Sequence, residues 1–339
     1  MICLRHVLII GAGLAGCTAA KKLAESGLRV TMAEKSPQIG GKVRYYGCKA
    51  VDGKCYNCGV CLTSGLWDKV EQNQNINVLT GMEVTDITGI AGDFTVAVSD
   101  GENTRFLNNI EAIIVSTGFE SQTGGLTAHL HIENAAEPVT GIELERLLLG
   151  RTKTKFLENT PKSVAFIQCV GSRDEKEGGL YCSKVCCSYS TRAARVLRFY
   201  YPECEIVFFY MELQNVESGN YYKKLTDMGM EFIKSRPLRI FGNNPCTVEY
   251  DDPTAGIICR EFDIVVLSEG IHAGADNEKL SSICRLEQSG AGFLRSVKGR
   301  RGIYVCGCAK GPMKIEEAYA DSAAAADEIS QEFFGGFCL

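Results

Sequence analysis

The chain has 339 residues, of which 45% are hydrophobic and 23% charged, a composition typical of a globular protein with room for two domains. Its net charge of -5 argues against an extended phosphate-binding surface, and so against nucleic acid as a partner. No stretch has the roughly 18 apolar residues of a membrane helix, and the apolar start lacks a signal-peptide pattern. We therefore expect a cytoplasmic protein without a transmembrane segment.

The first predicted elements are a strand, a glycine turn, a helix and a second strand. The apolar run 7–10 leads into Gly11, Gly13 and Gly16, and the second strand ends on Glu34. A lone G-x-G-x-x-G is weak, but inside a βαβ unit with an acid about 20 residues on it indicates a dinucleotide site. The glycines let the backbone approach a pyrophosphate at the helix N-terminus. Glu34 would accept hydrogen bonds from the adenosine ribose.

Two later segments favour FAD, because they resemble flavoproteins with two dinucleotide-binding domains. Gly40 and Gly41 follow the acid, where such proteins have a glycine pair near the diphosphate. The run 110–120 resembles the strand that returns beneath the flavin, and it ends with Thr117 and Gly118. The predicted cofactor of this part of the chain is therefore FAD.

A third segment, 300–312, resembles the C-terminal stretch that closes the FAD site. In those flavoproteins this stretch usually contains Gly-Asp, and the Asp holds the ribityl chain. Here Gly307 is followed by Cys308, which puts that hydrogen bond in question. We still assign both residues to the predicted FAD site.

Seventeen cysteines set the chain apart, since such a density inside a cell points to metal, cluster or redox chemistry. Cys48, Cys55, Cys58 and Cys61 form a C-x6-C-x2-C-x2-C run. Its C-x2-C-x2-C part is ferredoxin-like and predicts a [4Fe–4S] cluster. Zinc, which shares the C-x2-C spacing, and a redox-active disulfide between Cys55 and Cys58 are the other two interpretations.

The segment 122–270 has the length of the second dinucleotide-binding domain found in FAD reductases of the thioredoxin-reductase type. Its first predicted strand ends at Cys169, but no glycines follow at the spacing that cradles a phosphate. Three acids within 174–177 would repel a pyrophosphate there. Glu212, after the next strand, is placed as a ribose-binding acid would be. On balance we expect no NAD(P)H binding.

Four cysteines stand where that phosphate would lie. Cys169 is at the carboxyl end of a strand, where open α/β sheets bind ligands. Cys182 and Cys186 are four apart in a helical stretch and share a face, with Cys187 beside them. Four converging thiolates can hold [4Fe–4S] or zinc. A buried, cysteine-rich helix start without metal is the other interpretation of the spacing.

The stretch QCVGSRD…YCSKVCC resembles the unusual cluster motif in the thioredoxin-reductase-like core of the heterodisulfide reductase A subunits. That family includes the A subunit of the quinone-interacting oxidoreductase complex and bacterial sulfur-oxidation homologues. The segment 141–148, GIELERLL, is also similar to a family segment. The resemblance covers nearly the whole chain. It implies that Cys169, Cys182, Cys186 and Cys187 bind a cluster, and that an iron–sulfur site replaces the NAD(P)H phosphate loop.

The chain departs from the family in two respects. Large members add ferredoxin domains that these residues do not contain, so the chain resembles the short, core-only type. Many members also carry a Lys near the flavin, five residues after the paired cysteines, where this chain has Arg192. We take Arg192 as a candidate catalytic residue beside the flavin. A guanidinium stabilises an anionic reduced flavin but does not readily exchange a proton, so we do not predict electron bifurcation.

The predicted fold is α/β: a thioredoxin-reductase-like flavoprotein with two dinucleotide-binding domains. Residues 1–121 and 271–339 would form the FAD-binding domain, including the cysteine-rich loop 47–62. Residues 122–270 would form the inserted domain with the second cluster motif.

The leading hypothesis is an oxidoreductase: an FAD and [4Fe–4S] electron-transfer subunit of a heterodisulfide-reductase-like complex, with two clusters. The resemblance implies other iron–sulfur subunits as partners and a homodimeric core. It also implies a place in the cytoplasm or at the inner membrane surface of an anaerobe-type cell. The alternative is an NAD(P)H-dependent flavin disulfide reductase that uses a Cys55/Cys58 dithiol. A zinc-stapled flavoprotein is the third hypothesis.

Overall fold

The chain divides into two compact units in a computed structural model. The first consists of Met1–Arg44, Gly59–Glu120 and His272–Leu339, and the second of Tyr45–Cys58 and Ser121–Ile271. The structure describes residues 5–121, 130, 132–133, 138–148, 160–175, 179–214, 220–297 and 301–334. Each unit contains a parallel sheet and helices, so the predicted α/β class is confirmed.

A five-stranded parallel sheet forms the centre of the first unit. Its strands, in spatial order, are β19 (Ile303–Val305), β7 (Ala112–Val115), β1 (His6–Ile10), β2 (Arg29–Glu34) and β3 (Ile76–Thr80). Val7 and Ile9 pack into a core with helices α1 (Leu14–Glu25) and α7 (Ile315–Phe334). Leu8 and Ile10 point into a second core on the opposite face. Burial on both faces explains why residues 7–10 of β1 are all apolar.

Smaller elements complete the first unit. An antiparallel sheet joins β4 (Glu83–Ile90), β5 (Asp93–Ser99) and β6 (Thr104–Ile110), and a second pairs β17 (Glu287–Gln288) with β18 (Leu294–Arg295). The remaining helices are α2 (Leu66–Glu71) and α6 (Asn277–Cys284). The antiparallel sheets and α6 pack on the second core, whereas Leu66 and Val70 of α2 belong to the first.

The second unit repeats the parallel design. Its five-stranded sheet has the order β12 (Met230–Ile233), β11 (Glu205–Phe209), β10 (Ser163–Val170), β16 (Ile264–Glu269) and β9 (Val139–Thr140). A four-stranded sheet has the order β15 (Gly256–Phe262), β14 (Cys246–Asp252), β13 (Arg239–Phe241) and β8 (Ile132–Glu133). Its helices are α3 (Gly141–Leu148), α4 (Cys186–Tyr200) and α5 (Asn220–Asp227). Phe208 stacks on Phe166 and Phe232 at 4.8 Å each, which ties three strands together.

The division of the chain differs from the predicted one in one respect. The units change between residues 120 and 121 and between 271 and 272, near the predicted boundaries. However, Tyr45–Cys58, the larger part of the cysteine-rich loop, belongs to the second unit rather than to the predicted FAD domain. Across the residues that the structure describes, no helix is both long and apolar enough to cross a membrane.

Candidate functional site

The predicted dinucleotide turn lies between β1 and α1. Gly11 has a φ of 95°, and a Cβ on it would lie 2.8 Å from Ser116 O. A Cβ on Gly16 would lie 2.0 Å from Gly11 O, so only glycine fits either position. Among the residues that the structure describes, nothing lies within 4 Å of the place that a Cβ on Gly13 would take, and no side chain caps α1 there. This open space beside uncapped helix N–H groups fits a pyrophosphate.

Two further predicted glycine segments belong to the same unit. A Cβ on Gly41 would lie 3.1 Å from the Cα of Gly13, so the Gly40–Gly41 pair borders the turn. Thr117 and Gly118 follow β7, the strand beside β1, and the space next to Gly118 is also open. The glycine segments therefore leave room for a ligand at the carboxyl ends of β1 and β7, as FAD would need.

Glu34 ends β2, as predicted, and is buried. Its Oε2 accepts a hydrogen bond from Ala12 N at 2.7 Å, and its Oε1 accepts one from Ser36 N at 2.8 Å. The carboxylate thus fixes the glycine turn, a role that the sequence pattern did not indicate. Each carboxylate oxygen has a second lone pair, so ribose binding by Glu34 stays a prediction that the geometry permits.

Gly307 and Cys308 lie in a buried turn after β19. The Cys308 thiol donates to Met313 O at 3.6 Å, and burial raises its pKa to about 11. A neutral thiol cannot replace a carboxylate as acceptor for a ribityl hydroxyl. An acidic group is nevertheless present at this turn, because Asp321 Oδ2 accepts a hydrogen bond from Gly307 N at 2.8 Å. Binding of FAD by Gly307 and Cys308 stays a prediction.

Two glycine variants should separate FAD binding from folding. The methyl group of Gly16→Ala meets a backbone oxygen, so we expect a lower melting temperature in thermal unfolding followed by circular dichroism. The methyl group of Gly13→Ala enters open space, so this variant should fold normally but purify with roughly tenfold less FAD. A Gly13→Ala protein with the wild-type FAD content would contradict a pyrophosphate at this turn.

The cysteine site begins where β10 leaves its sheet. The register of β10 against β16 shifts between Ile167 and Val170, and Cys169 lies in this irregular part with a φ of 61°. Arg173 and Lys184, in the segment that follows, also have left-handed backbones, with φ of 56° and 62°. Such non-glycine conformations cost about 1–3 kcal/mol each and are often found at functional sites.

Three of the four predicted ligands meet at this place. The Cys186 thiol hydrogen-bonds with the sulfur atoms of Cys169 and Cys187, and all three residues are buried. Cys186 and Cys187 are the first two residues of α4. Cys182 is half-buried on the preceding loop, and its Sγ accepts a hydrogen bond from Lys184 N at 3.3 Å. The predicted helix face shared by Cys182 and Cys186 is therefore wrong, because α4 begins only at Cys186. The strand end and the helix start thus bring sequence-distant cysteines together.

The surroundings of Cys169 and Cys187 favour the thiolate form that binds metals, whereas those of Cys186 favour the neutral thiol. The hydrogen bond from Cys186 and the positive charges of Arg173 and Arg236 lower the pKa of Cys169 to about 7. The pKa of Cys187 is lowered too, mainly by its hydrogen bond from Cys186. The pKa of Cys186 is raised because it donates to both neighbours and is buried. Thiolates are the reactive and metal-binding form of cysteine.

Arg173 provides a test of whether an iron–sulfur centre fits this site. Within the described part of the chain, no three His, Cys, Asp or Glu side chains are arranged around one metal-ion position. Arg173 Nη1 is buried and meets no acceptor among the same residues. A buried charged donor without an acceptor is costly, which indicates an anionic partner. Thiolates and sulfides of a cluster would supply one, so the residues fit the group.

Buried hydroxyl groups hold the segments that carry these cysteines. Gln168 Nε2 donates to Ser190 Oγ at 3.0 Å, and the Ser190 hydroxyl donates to the carbonyl of Cys186. The hydroxyls of Ser172 and Ser183 lie 2.6 Å apart, closing the loop between Cys169 and Cys182. Satisfied buried polar networks of this kind make a local structure rigid.

The other cysteine group is divided between the two units. Cys48 and Cys55 are exposed and Cys58 is half-buried, all in the second unit, whereas Cys61 belongs to a 3₁₀ turn counted with the first. The sulfur atoms of Cys48 and Cys55 each accept a hydrogen bond from the backbone N–H two residues on, at 3.4 Å. Cluster binding by Cys48, Cys55, Cys58 and Cys61 therefore stays a prediction.

A buried ion pair holds the cysteine-rich loop against α3. Lys49 and Glu145 are 4% and 7% exposed, and Lys49 Nζ donates both to Glu145 Oε2 and, at 2.7 Å, to Gly47 O. Burial raises the pKa of Glu145, and Lys49 opposes that shift. Lys49 directly follows Cys48, so the ion pair also fixes the position of that cysteine.

Arg192 also binds this loop. Its Nε donates to Tyr56 O at 2.9 Å and its Nη2 to Asn57 O at 3.0 Å. One turn further along α4, the guanidinium of Arg195 lies 3.6 Å from the centre of the Tyr56 ring. The predicted role of Arg192 beside the flavin stays a prediction. What the structure shows is an anchor for the loop, which the position of Arg192 in the sequence did not indicate.

Two acids that entered the prediction about NAD(P)H are engaged by arginines. Asp174, expected to repel a pyrophosphate, is buried and paired with Arg236, so its charge is neutralised within the protein. Glu177 lies outside the described residues. Glu212, the acid placed to bind a ribose, accepts a hydrogen bond from Arg173 Nη2 at 3.0 Å. Arg236, from a distant part of the chain, thus offsets the charge of Asp174, and the expected absence of NAD(P)H binding stays a prediction.

Comparisons with known proteins find the chain similar to A subunits of heterodisulfide reductases and to a thioredoxin reductase. A family described as NAD(P)-binding Rossmann-like domain matches residues 9–65. The chain is 27% identical over 425 aligned positions to the A subunit of the ferredoxin/F(420)H(2)-dependent CoB-CoM heterodisulfide reductase of Methanosarcina acetivorans, covering 96% of this chain and 53% of that protein. It is 26% identical over 414 positions to the A subunit of the H(2):CoB-CoM heterodisulfide,ferredoxin reductase of Methanothermobacter thermautotrophicus, covering 94% and 62%.

Among solved structures, the thioredoxin reductase of T. acidophilum superposes with a TM-score of 0.64 at 18% identity, covering 97% of this chain and 99% of that chain. The likeness confirms the predicted thioredoxin-reductase-like two-domain fold. The predicted resemblance to the heterodisulfide reductase A subunits is also confirmed over most of the chain. The chain spans 53–62% of the length of these two relatives. All three proteins are reductases by name, in agreement with the predicted oxidoreductase class.

Proposed function

We propose that this chain is the FAD and [4Fe–4S] electron-transfer subunit of a heterodisulfide-reductase-like complex. The observation that carries the proposal is the meeting of Cys169, Cys186 and Cys187 at the carboxyl end of β10, beside a buried arginine donor without an acceptor among the described residues. A reductase of this fold would hold the phosphates of its nicotinamide nucleotide at that strand end. Thiols in that place support an iron–sulfur site instead of the phosphate loop.

The chain's own residues would hold the cofactors in separate units. When bound, FAD would link two-electron transfer to one-electron transfer, and the iron–sulfur clusters would carry single electrons. The N–H groups at the start of α1 would bind the pyrophosphate, and Glu34 would orient the ribose. The proposed FAD residues are Gly11, Gly13, Gly16, Glu34, Gly40, Gly41, Thr117, Gly118, Gly307 and Cys308. The proposed ligands of the first cluster are Cys169, Cys182, Cys186 and Cys187.

A second [4Fe–4S] cluster on Cys48, Cys55, Cys58 and Cys61 belongs to the same proposal. Its support is the ferredoxin-like spacing, together with the buried ion pair that fixes Lys49 next to Cys48. The relatives named above are subunits, which supports other iron–sulfur subunits as partners of this chain. We extend the proposal to a homodimeric core located in the cytoplasm or at the inner membrane surface.

Anaerobic reduction of the purified protein tests this function against the disulfide reductase that uses Cys55 and Cys58. We expect excess NADH or NADPH to leave the visible absorbance of the flavin unchanged, because no glycine fingerprint follows β10 and Glu212 is engaged by Arg173. A one-electron donor such as reduced methyl viologen should bleach it. Rapid bleaching by NADH in a protein without iron would instead support the disulfide reductase.

A further inference from the structure

Arg173 occupies a special place at the cysteine site. Its guanidinium is near enough to Cys169 to lower the pKa of that thiol through its charge and a hydrogen bond, and its Nη2 donates to Glu212 Oε2 at 3.0 Å. Its Nη1 is buried and, among the described residues, has no acceptor. The guanidinium of Arg173 therefore lies between the carboxylate of Glu212 and the sulfur of Cys169. Its Nη1 remains available to donate a further hydrogen bond.

The fold holds Arg173 in this place through its backbone. Its N–H donates to Tyr181 O at 3.1 Å, and the next residue, Asp174, exchanges two backbone hydrogen bonds of 3.0 Å with Gly179. These bonds form a short hairpin between Cys169 and Cys182. The left-handed φ of 56° at Arg173 lies within this hairpin. These bonds fix the backbone of Arg173, and the hydrogen bond to Glu212 orients its guanidinium.

Glu212 is best understood as the anchor of this arginine. The Glu212 side chain is 64% exposed and that of Arg173 is 28% exposed, so the ion pair extends from the surface toward the buried sulfur atoms. In the sequence, the position of Glu212 after β11 favoured the interpretation that this acid binds a ribose. The observed pair gives this acid a different task, which needs no nucleotide.

We propose that Arg173, anchored by Glu212, sets the reduction potential of the iron–sulfur centre at Cys169. The proposal rests on the proposed function, because it presupposes a centre at these cysteines. Reduction adds a negative charge to a cluster, and a cation that donates hydrogen bonds to its sulfur atoms stabilises the reduced form. Arg173 would act through its positive charge and its hydrogen bonds, and its loss should make the centre harder to reduce.

A redox titration followed by electron paramagnetic resonance tests this on anaerobically purified holoprotein. We expect Arg173→Gln to lower the midpoint potential of the centre by about 59 mV, a tenfold change in the ratio of reduced to oxidised form for one electron. Arg173→Lys, which keeps the charge but loses the planar fork of donors, should lie between Arg173→Gln and the wild type. Arg239→Gln is the matched control, since Arg239 pairs with Glu249 in the same unit. The midpoint potential of the centre should not change in this variant.

The outcomes separate this inference from the proposed function. A wild-type protein without iron would overturn both. Iron at the wild-type level in Arg173→Gln with an unchanged potential, or an equal shift in Arg239→Gln, would overturn the role of Arg173 alone. If Arg173→Gln does not keep its iron, Arg173→Lys decides the question. A lowered potential in Arg173→Lys supports the role, and an unchanged one overturns it.

Discussion

Replacement of Cys186 by serine is expected to remove about four iron and four sulfide ions per FAD, while FAD itself stays bound. Cys186 is 1% exposed and its sulfur contacts those of Cys169 and Cys187, so it is the central member of the group. A hydroxyl group is a far weaker ligand for iron than a thiolate. The glycine turn that would hold FAD belongs to the other unit and should be unaffected. Iron, sulfide and FAD analysis of the anaerobically purified variant measures the effect.

Cys204→Ser is the matched control for this variant. Cys204 is also buried in the second unit, but it packs among apolar residues and lies outside both cysteine groups. Burial raises the pKa of its thiol to about 11, as expected of a cysteine that acts as a small apolar residue. This variant should keep its iron. Full iron in Cys186→Ser, or an equal loss in Cys204→Ser, would refute the assignment of the ligands.

The second large effect is expected at the ion pair between Lys49 and Glu145. Glu145→Ala leaves the buried ammonium group of Lys49 without its carboxylate, which should reduce the free energy of unfolding by about 3–5 kcal/mol. Urea unfolding of the wild type and the variant, followed by circular dichroism, measures the difference. Because Lys49 adjoins Cys48, we also expect the variant to hold less of the iron assigned to the cysteine-rich loop.

Two further variants show whether the cost comes from the uncompensated charge. Lys49→Met combined with Glu145→Leu removes both charges and should recover most of the lost stability. Glu231→Ala breaks an ion pair with Arg260 in which the side chains are 50% and 25% exposed, and Arg260 keeps its second partner, Glu205, so the variant should cost about 1 kcal/mol or less. If Glu145→Ala were no more destabilising than Glu231→Ala, the ion pair would not be what holds the loop.

The glycine turn and its strands could be predicted because their pattern is local. A single βαβ unit contains the three glycines, helix α1 and Glu34 in close succession. Each of these residue types indicates the local backbone geometry at its position. The meeting of Cys169 with Cys186 and Cys187 could be predicted as well. It needs only the rule that the carboxyl end of a strand faces the start of the following helix.

Contacts between distant parts of the chain could not be predicted in the same way. Glu145 lies 96 residues from Lys49, and Arg236 lies 62 residues from Asp174. No local pattern shows which buried charge will meet which partner. For this reason Asp174 was expected to repel a pyrophosphate, and the cysteine-rich loop was expected in the first unit. The loop binds Arg192 of the second unit through backbone carbonyls, which any residue could supply.

The central claim is that cysteines take the place of a nicotinamide phosphate site and bind iron. The most direct test is to measure iron, acid-labile sulfide and zinc per FAD in anaerobically purified protein. We predict about eight iron and eight sulfide ions, one cluster for each cysteine group. About four of each would keep the centre at Cys169 and remove the one proposed at Cys48 to Cys61. Bound FAD with zinc or no metal, in a protein that NADH reduces, would contradict the account.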